Sequence, residues 1–108
     1  MIRILTSLLL FTFAHISLLA VQTTKADSLY GLKKYQEAGR AYEDQLAEGI
    51  HAEIFFNLGN CYYYMDDTPR AILNYMKVLK MEPGHAEAQE NLQLCLEKAG
   101  ITTSEVEE

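Results

Sequence analysis

Residues 52–85 read AEIFFNLGNCYYYMDDTPRAILNYMKVLKMEPGH, and this stretch decides the fold. Phe55, Leu58, Gly59 and Tyr62 recur at i, i+3, i+4 and i+7, the spacing of one face of a helix over about 52–65. Gly in a helix interior costs ~1 kcal/mol relative to Ala, so Gly59 is there because a neighbour needs the room. Asp66-Asp67 breaks this helix. Thr68 is placed to cap the next one, and Pro69 suits its first position, where a missing N–H costs nothing. The second helix, about 69–81, buries Ala71, Ile72, Tyr75, Val78 and Leu79, and Pro83-Gly84 stops it. Two helices joined by so short a turn pack antiparallel, with Gly59 against Ala71 as the expected close contact.

The unit recurs on both sides. Shifted by 34, AEIFFNLGNCYY (52–63) lies over AEAQENLQLCLE (86–97), where Ala, Glu, Asn, Leu and Cys coincide. Shifted by 33, YQEAGRAYEDQL (35–46) lies over TPRAILNYMKVL (68–79), matching Ala38 with Ala71, Tyr42 with Tyr75 and Leu46 with Leu79. A period of 33–34 belongs to stacked helical hairpins. The predicted fold is therefore all-α: hairpin 1 about 22–49, hairpin 2 about 52–83, a closing helix about 86–99 and a polar tail, 100–108. Hairpin 1 is the less regular, with Ala26 and Leu29 standing where Gly59 and Tyr62 stand in hairpin 2.

The pattern resembles the tetratricopeptide repeat. That family's motif is met in order by Phe55, Leu58, Gly59, Tyr62, Ala71, Tyr75, Val78 and Pro83; Val78 departs, being larger than the usual Ala. The resemblance implies that first helices line a concave groove holding a peptide or protein segment. With the motif stripe facing inward, a second stripe remains on the first helix: Glu53, Phe56, Asn57, Asn60, Tyr63 and Tyr64. Its chemistry suits a groove, since Asn can both donate to and accept from a peptide backbone and Tyr combines an apolar face with a polar tip. Tyr30 is the equivalent of Tyr63 one hairpin earlier and extends the set. The competing reading is that these tyrosines pack internally, against the closing helix and Leu94. A subclass of the family grips acidic C-termini with groove lysines; Phe56 and Tyr64 occupy two of those positions, which excludes that ligand.

Upstream, MIRILTSLLLFTFAHISLLA (1–20) holds a single charged residue, Arg3. It reads as a secretory signal peptide with Ala20 or Ala26 as the cleavage edge, or as an uncleaved N-terminal membrane anchor. The uncharged run from Ile4 to Ala20 lies near the lower limit of roughly 17–25 residues for a spanning helix. Either way the domain that follows leaves the cytoplasm, and the membrane is met only through this segment. Net charge is −6, and every Asp and Glu lies beyond it. An acidic surface without a basic stripe excludes nucleic acid as a partner. Cys61 and Cys95 occupy the same position of successive repeats, too far apart for easy bridging, and are expected to be small buried thiols. His51 and His85 read as loop residues, and Asp66-Asp67 as a solvated turn. No catalytic set, metal site or cofactor site can be assembled from the sequence, so no enzymatic activity is expected.

Over roughly residues 26–98 the chain is similar to the tetratricopeptide protein of bacterial aerotolerance (Bat) operons, on the segments ADSLYGLKKYQEA and NLGNCYYYMDDTPRAILNYMKVLKMEPGHAEAQENL. That resemblance implies an envelope protein of the periplasm, or of the periplasmic side of the inner membrane, working beside other Bat proteins, some with von Willebrand factor A domains. Many relatives continue into membrane-spanning segments and an SH3-like domain. The expected function is a non-enzymatic interaction module that holds a partner segment in its groove. The alternative is a self-assembling structural unit, a homo-oligomer, because short solenoids need capped ends and the LAVQTT end shows no cap.

Overall fold

The computed structural model describes residues 25–102 and residue 104. The N-terminal apolar segment, the expected start of hairpin 1 and most of the polar tail lie outside these residues. Five helices follow in order: α1 over 25–31, α2 Tyr35–Leu46, α3 Ala52–Tyr64, α4 Thr68–Met81 and α5 Ala86–Ala99. Among the described residues there is no strand, and no helix is long and apolar enough to cross a membrane. Each helix from α2 onward packs on the next. Ala26, Leu29 and Tyr30 bring α1 onto α2 and α3.

The core has two parts. One gathers Ala26, Ala38, Tyr42, Ile54, Leu58 and Cys61; the other gathers Ala52, Ala71, Tyr75, Val78, Ala88 and Cys95. Phe55 and Tyr62, each partly buried, pack against both. Helix α3 sits between α2 and α4, so it buries more than one stripe: Ala52, Ile54, Leu58, Gly59 and Cys61. Val78 fits its place fully buried, and Pro83 follows the end of α4.

Gly59 needs room, as its position implied, but the neighbour differs from the one expected. A Cβ built there would come within 2.6 Å of Cε1 and 2.8 Å of Cδ1 of Tyr75. The ring of Tyr75, one turn beyond Ala71, is what lies against the Gly59 backbone.

The turns repeat with the same period as the helices. Lys33, Asp66 and Gly100 each follow a first helix in the left-handed region, with φ of 60°, 57° and 71°. Each sits in the same pair of backbone bonds: Lys34 N to Leu29 O and Lys33 N to Tyr30 O, then Asp67 N to Tyr62 O and Asp66 N to Tyr63 O, then Ile101 N to Leu96 O and Gly100 N to Glu97 O. This is the Schellman closure, which satisfies carbonyls that a helix end leaves without partners. Helix starts correct two expectations. The cap of α4 is Asp67, whose Oδ1 accepts from Arg70 N, so Thr68 is already the first helical residue. His85 is more than a loop residue: it caps α5, its Nδ1 accepting from Ala88 N at 3.0 Å.

Candidate functional site

The second stripe of α3 meets α5 at Asn60, Phe56 and Tyr63. Asn91 Nδ2 donates to Asn60 Oδ1 at 3.3 Å, and the rings of Phe56 and His85 lie 5.0 Å apart. The Tyr75 hydroxyl, rising from α4 beneath, donates to the same Asn60 Oδ1 at 2.5 Å. One hairpin earlier, Tyr42 donates to Asp27 Oδ1 across the equivalent pair of positions. Burial, and then the nearby Cys95 thiol, hold the Tyr75 hydroxyl protonated, its pKa raised well above that of a free phenol. Asn60 is thus fixed from two sides in a polar floor.

Above that floor lies a recess of about 240 Å³ lined by Asn60, Tyr63, Tyr64, Tyr75, Asn91 and Leu94. Tyr64 is 55% exposed and Leu94 49%. Tyr64 continues into an aromatic array. Its ring stacks on Tyr35 at 4.8 Å and 16°, and meets Tyr30 and Tyr63 edge-on at 6.3 and 5.5 Å. Burial, then the facing Tyr64, pushes the Tyr30 phenol up to about 12. At the end of the recess, Lys98 Nζ pairs with Asp66 Oδ1 at 2.9 Å and lies 5.5 Å from the Tyr63 ring centre.

The tetratricopeptide repeat family model matches residues 52–85. The hairpin α3–α4 is built as a tetratricopeptide repeat. No curated protein matches the chain significantly. The match covers α3 and α4, the first and second helices of that repeat; α1 and α5 take the first-helix places and α2 the second-helix place of the helical stack on either side.

The seven residues expected to line a groove divide. Glu53 and Tyr64 are exposed, while Tyr30, Phe56, Asn57, Asn60 and Tyr63 are half-buried. Tyr30 packs on the first core cluster, and Phe56 and Tyr63 on the second, so these three also serve internal packing. Asn60, Tyr63 and Tyr64 come together at the recess; Tyr30 joins them through Tyr64, and Phe56 lies apart, against His85. Of the eight motif residues, Leu58, Gly59, Ala71, Tyr75 and Val78 are buried, Phe55 and Tyr62 half-buried and Pro83 exposed. Sequence reasoning passed over Tyr35 and Asn91. Asn91 had a signal, being the match of Asn57 at a shift of 34. Tyr35 had none, since it opens a second helix and reaches the groove only across the α1–α2 turn.

The cysteines are free and buried, Cys61 in one cluster and Cys95 in the other. Burial pushes the Cys61 thiol up to about 11 and raises that of Cys95. Among the described residues no group of three or more His, Cys, Asp and Glu could hold a metal ion.

Proposed function

We propose that the chain is an exported interaction module of the bacterial cell envelope, holding a segment of a partner protein in the groove of its first helices. Tetratricopeptide repeats generally mediate protein–protein interaction, and the family is a non-catalytic one. The observation that carries the reading is the recess between α3 and α5, where exposed Tyr64 and Leu94 stand beside fixed amides. Exposed aromatic surface next to convergent polar groups is the composition of a protein-binding hot spot. The apolar, nearly uncharged residues 1–20 support export or anchoring on the periplasmic side. The resemblance to the aerotolerance-operon protein supports a complex with other Bat-type proteins.

Photo-crosslinking in living cells tests this. A photoreactive residue at Tyr63 captures a discrete envelope protein, and the same residue at Lys77 on α4 does not. Capture at Lys77 alone would place the partner on the other surface and overturn the groove reading. A second reading, self-assembly, is favoured by Leu73 and Met76, large apolar residues exposed on α4. Self-adducts at Tyr63, with a mass that grows with protein concentration, would establish it.

A further inference from the structure

We infer that the segment held in this groove is an extended chain alternating basic and apolar residues; this deepens the groove reading and rests on it. Helices α3 and α5, separated by the antiparallel α4, run in the same direction, and at a shift of 34 Glu53 coincides with Glu87 and Asn57 with Asn91. At their N-terminal ends stand Glu53 and its counterpart Glu87, with Glu90 one turn on, all exposed and none in an ion pair among the described residues. In the middle stand Asn57, Asn60 and Asn91. Towards the C-terminal ends stand Tyr63, Tyr64 and Leu94, backed by Tyr35 and Tyr30. Helical rise of ~1.5 Å per residue separates Glu53, Asn57, Asn60 and Tyr64 into successive levels ~4.5–6 Å apart. From the N-terminal to the C-terminal ends of these helices the groove therefore passes from carboxylates, with Glu90 next to Asn91, through an amide row to an aromatic and apolar row.

The amide row has the chemistry of a backbone receptor. Asn60 Oδ1 is taken up by Tyr75 and Asn91, which leaves the Nδ2 of Asn60 as donor and the Oδ1 of Asn91 as acceptor. A peptide unit offers the complementary pair. An extended chain lying along this row throws successive side chains to opposite sides. One set passes over Glu53, Glu87 and Glu90, where Lys or Arg finds unpaired carboxylates. The other passes over the tyrosine rings and Leu94, which take apolar or aromatic side chains. An acidic segment would meet a like-charged row on a chain of net charge −6.

The test uses the full chain in a non-ionic detergent and three fluorophore-labelled octapeptides: Lys and Val alternating, the same composition in two blocks, and Glu and Val alternating. Fluorescence anisotropy is expected to show the Lys–Val alternating peptide binding at least about tenfold tighter than either other peptide. The combined variant Glu53→Gln, Glu87→Gln, Glu90→Gln erases that preference. The variant Tyr63→Ser, Tyr64→Ser weakens binding of the alternating peptide, and circular dichroism shows both variants folded. Equal binding of the two Lys–Val isomers, preference for the Glu–Val peptide, or no binding of any peptide overturns the inference. Capture at Tyr63 in the crosslinking experiment then tells whether the groove itself survives: retained capture leaves the groove with a different ligand, and lost capture removes both.

Discussion

Gly59 is the residue on which the central hairpin closes. Its Cα faces the ring of Tyr75, which is 1% exposed and tethered through its hydroxyl to Asn60, so the ring cannot swing aside. Gly59→Ala is expected to destabilise the fold by about 1–3 kcal/mol, the range for overpacking a tight core. Because the cost comes from one contact, Tyr75→Leu should absorb much of it. Denaturant melts of the two single variants and the double variant would then be less than additive. The demand for space at Gly59 could be read from a glycine inside a helical period. Its cause could not, because Ala71 and Tyr75 lie on one face of α4 and spacing alone favours the smaller pair. The phenols give a second expectation. Tyr30 is pushed to about 12 by burial and then by Tyr64, and Tyr62 to about 12 by its bond to Glu43 and then by burial, from an ordinary value of 10.0. Both hold their protons more firmly in the folded chain. Their contribution to stability is intact below pH 10 and is lost as pH rises through about 12. A titration following phenolate absorbance and helical dichroism together should show the helix signal falling in that window. A phenolate signal near pH 10 that disappears in Tyr30→Phe or Tyr62→Phe, with the helix signal unchanged there, would contradict it.

At the scale of elements, helix bounds were readable to within a residue or so because Asp66-Asp67 and Pro83-Gly84 are strong punctuation. The closures were not. Three first helices end in one backbone geometry, yet the left-handed position is held by Lys33, Asp66 and Gly100 in turn, and only the last announces itself. A non-glycine residue there carries a steric cost of roughly 1–2 kcal/mol, partly offset by the greater freedom glycine has when unfolded. Lys33→Gly is therefore expected to stabilise the chain by about 0.5–1 kcal/mol, and Gly100→Ala to destabilise it by a similar amount. Thermal melts of the two variants should move in opposite directions. Asp66 is the poorer test, since it also bonds Lys98. The cap of α4 was misplaced by one residue because Asp67 and Thr68 are both good capping residues, and only the bond from Arg70 N distinguishes them.

For the whole molecule, α3 is the joint. Phe55 and Tyr62 contact both core clusters, so loosening one hairpin exposes side chains that also serve the other. Unfolding by urea should proceed in a single transition, with amide exchange in α2 and α4 equally slow; separate transitions for the two hairpins would show the clusters to be independent. The second stripe of α3 was visible in the sequence as a second helical period. Its division into packed and open residues was not, because it depends on how far α5 leans onto α3. One further property follows from the register of α5. At the position of Gly59, α5 carries Gln93, which is bonded to Glu97. No tyrosine of the Tyr75 kind can lie against it. The array therefore lengthens by duplication from within and not by addition behind α5. A second copy of 52–85 inserted after His85 would bring its own Gly59–Tyr75 contact, whereas a second helix such as 68–85 joined after Gly100 would meet Gln93 where its tyrosine ring must go.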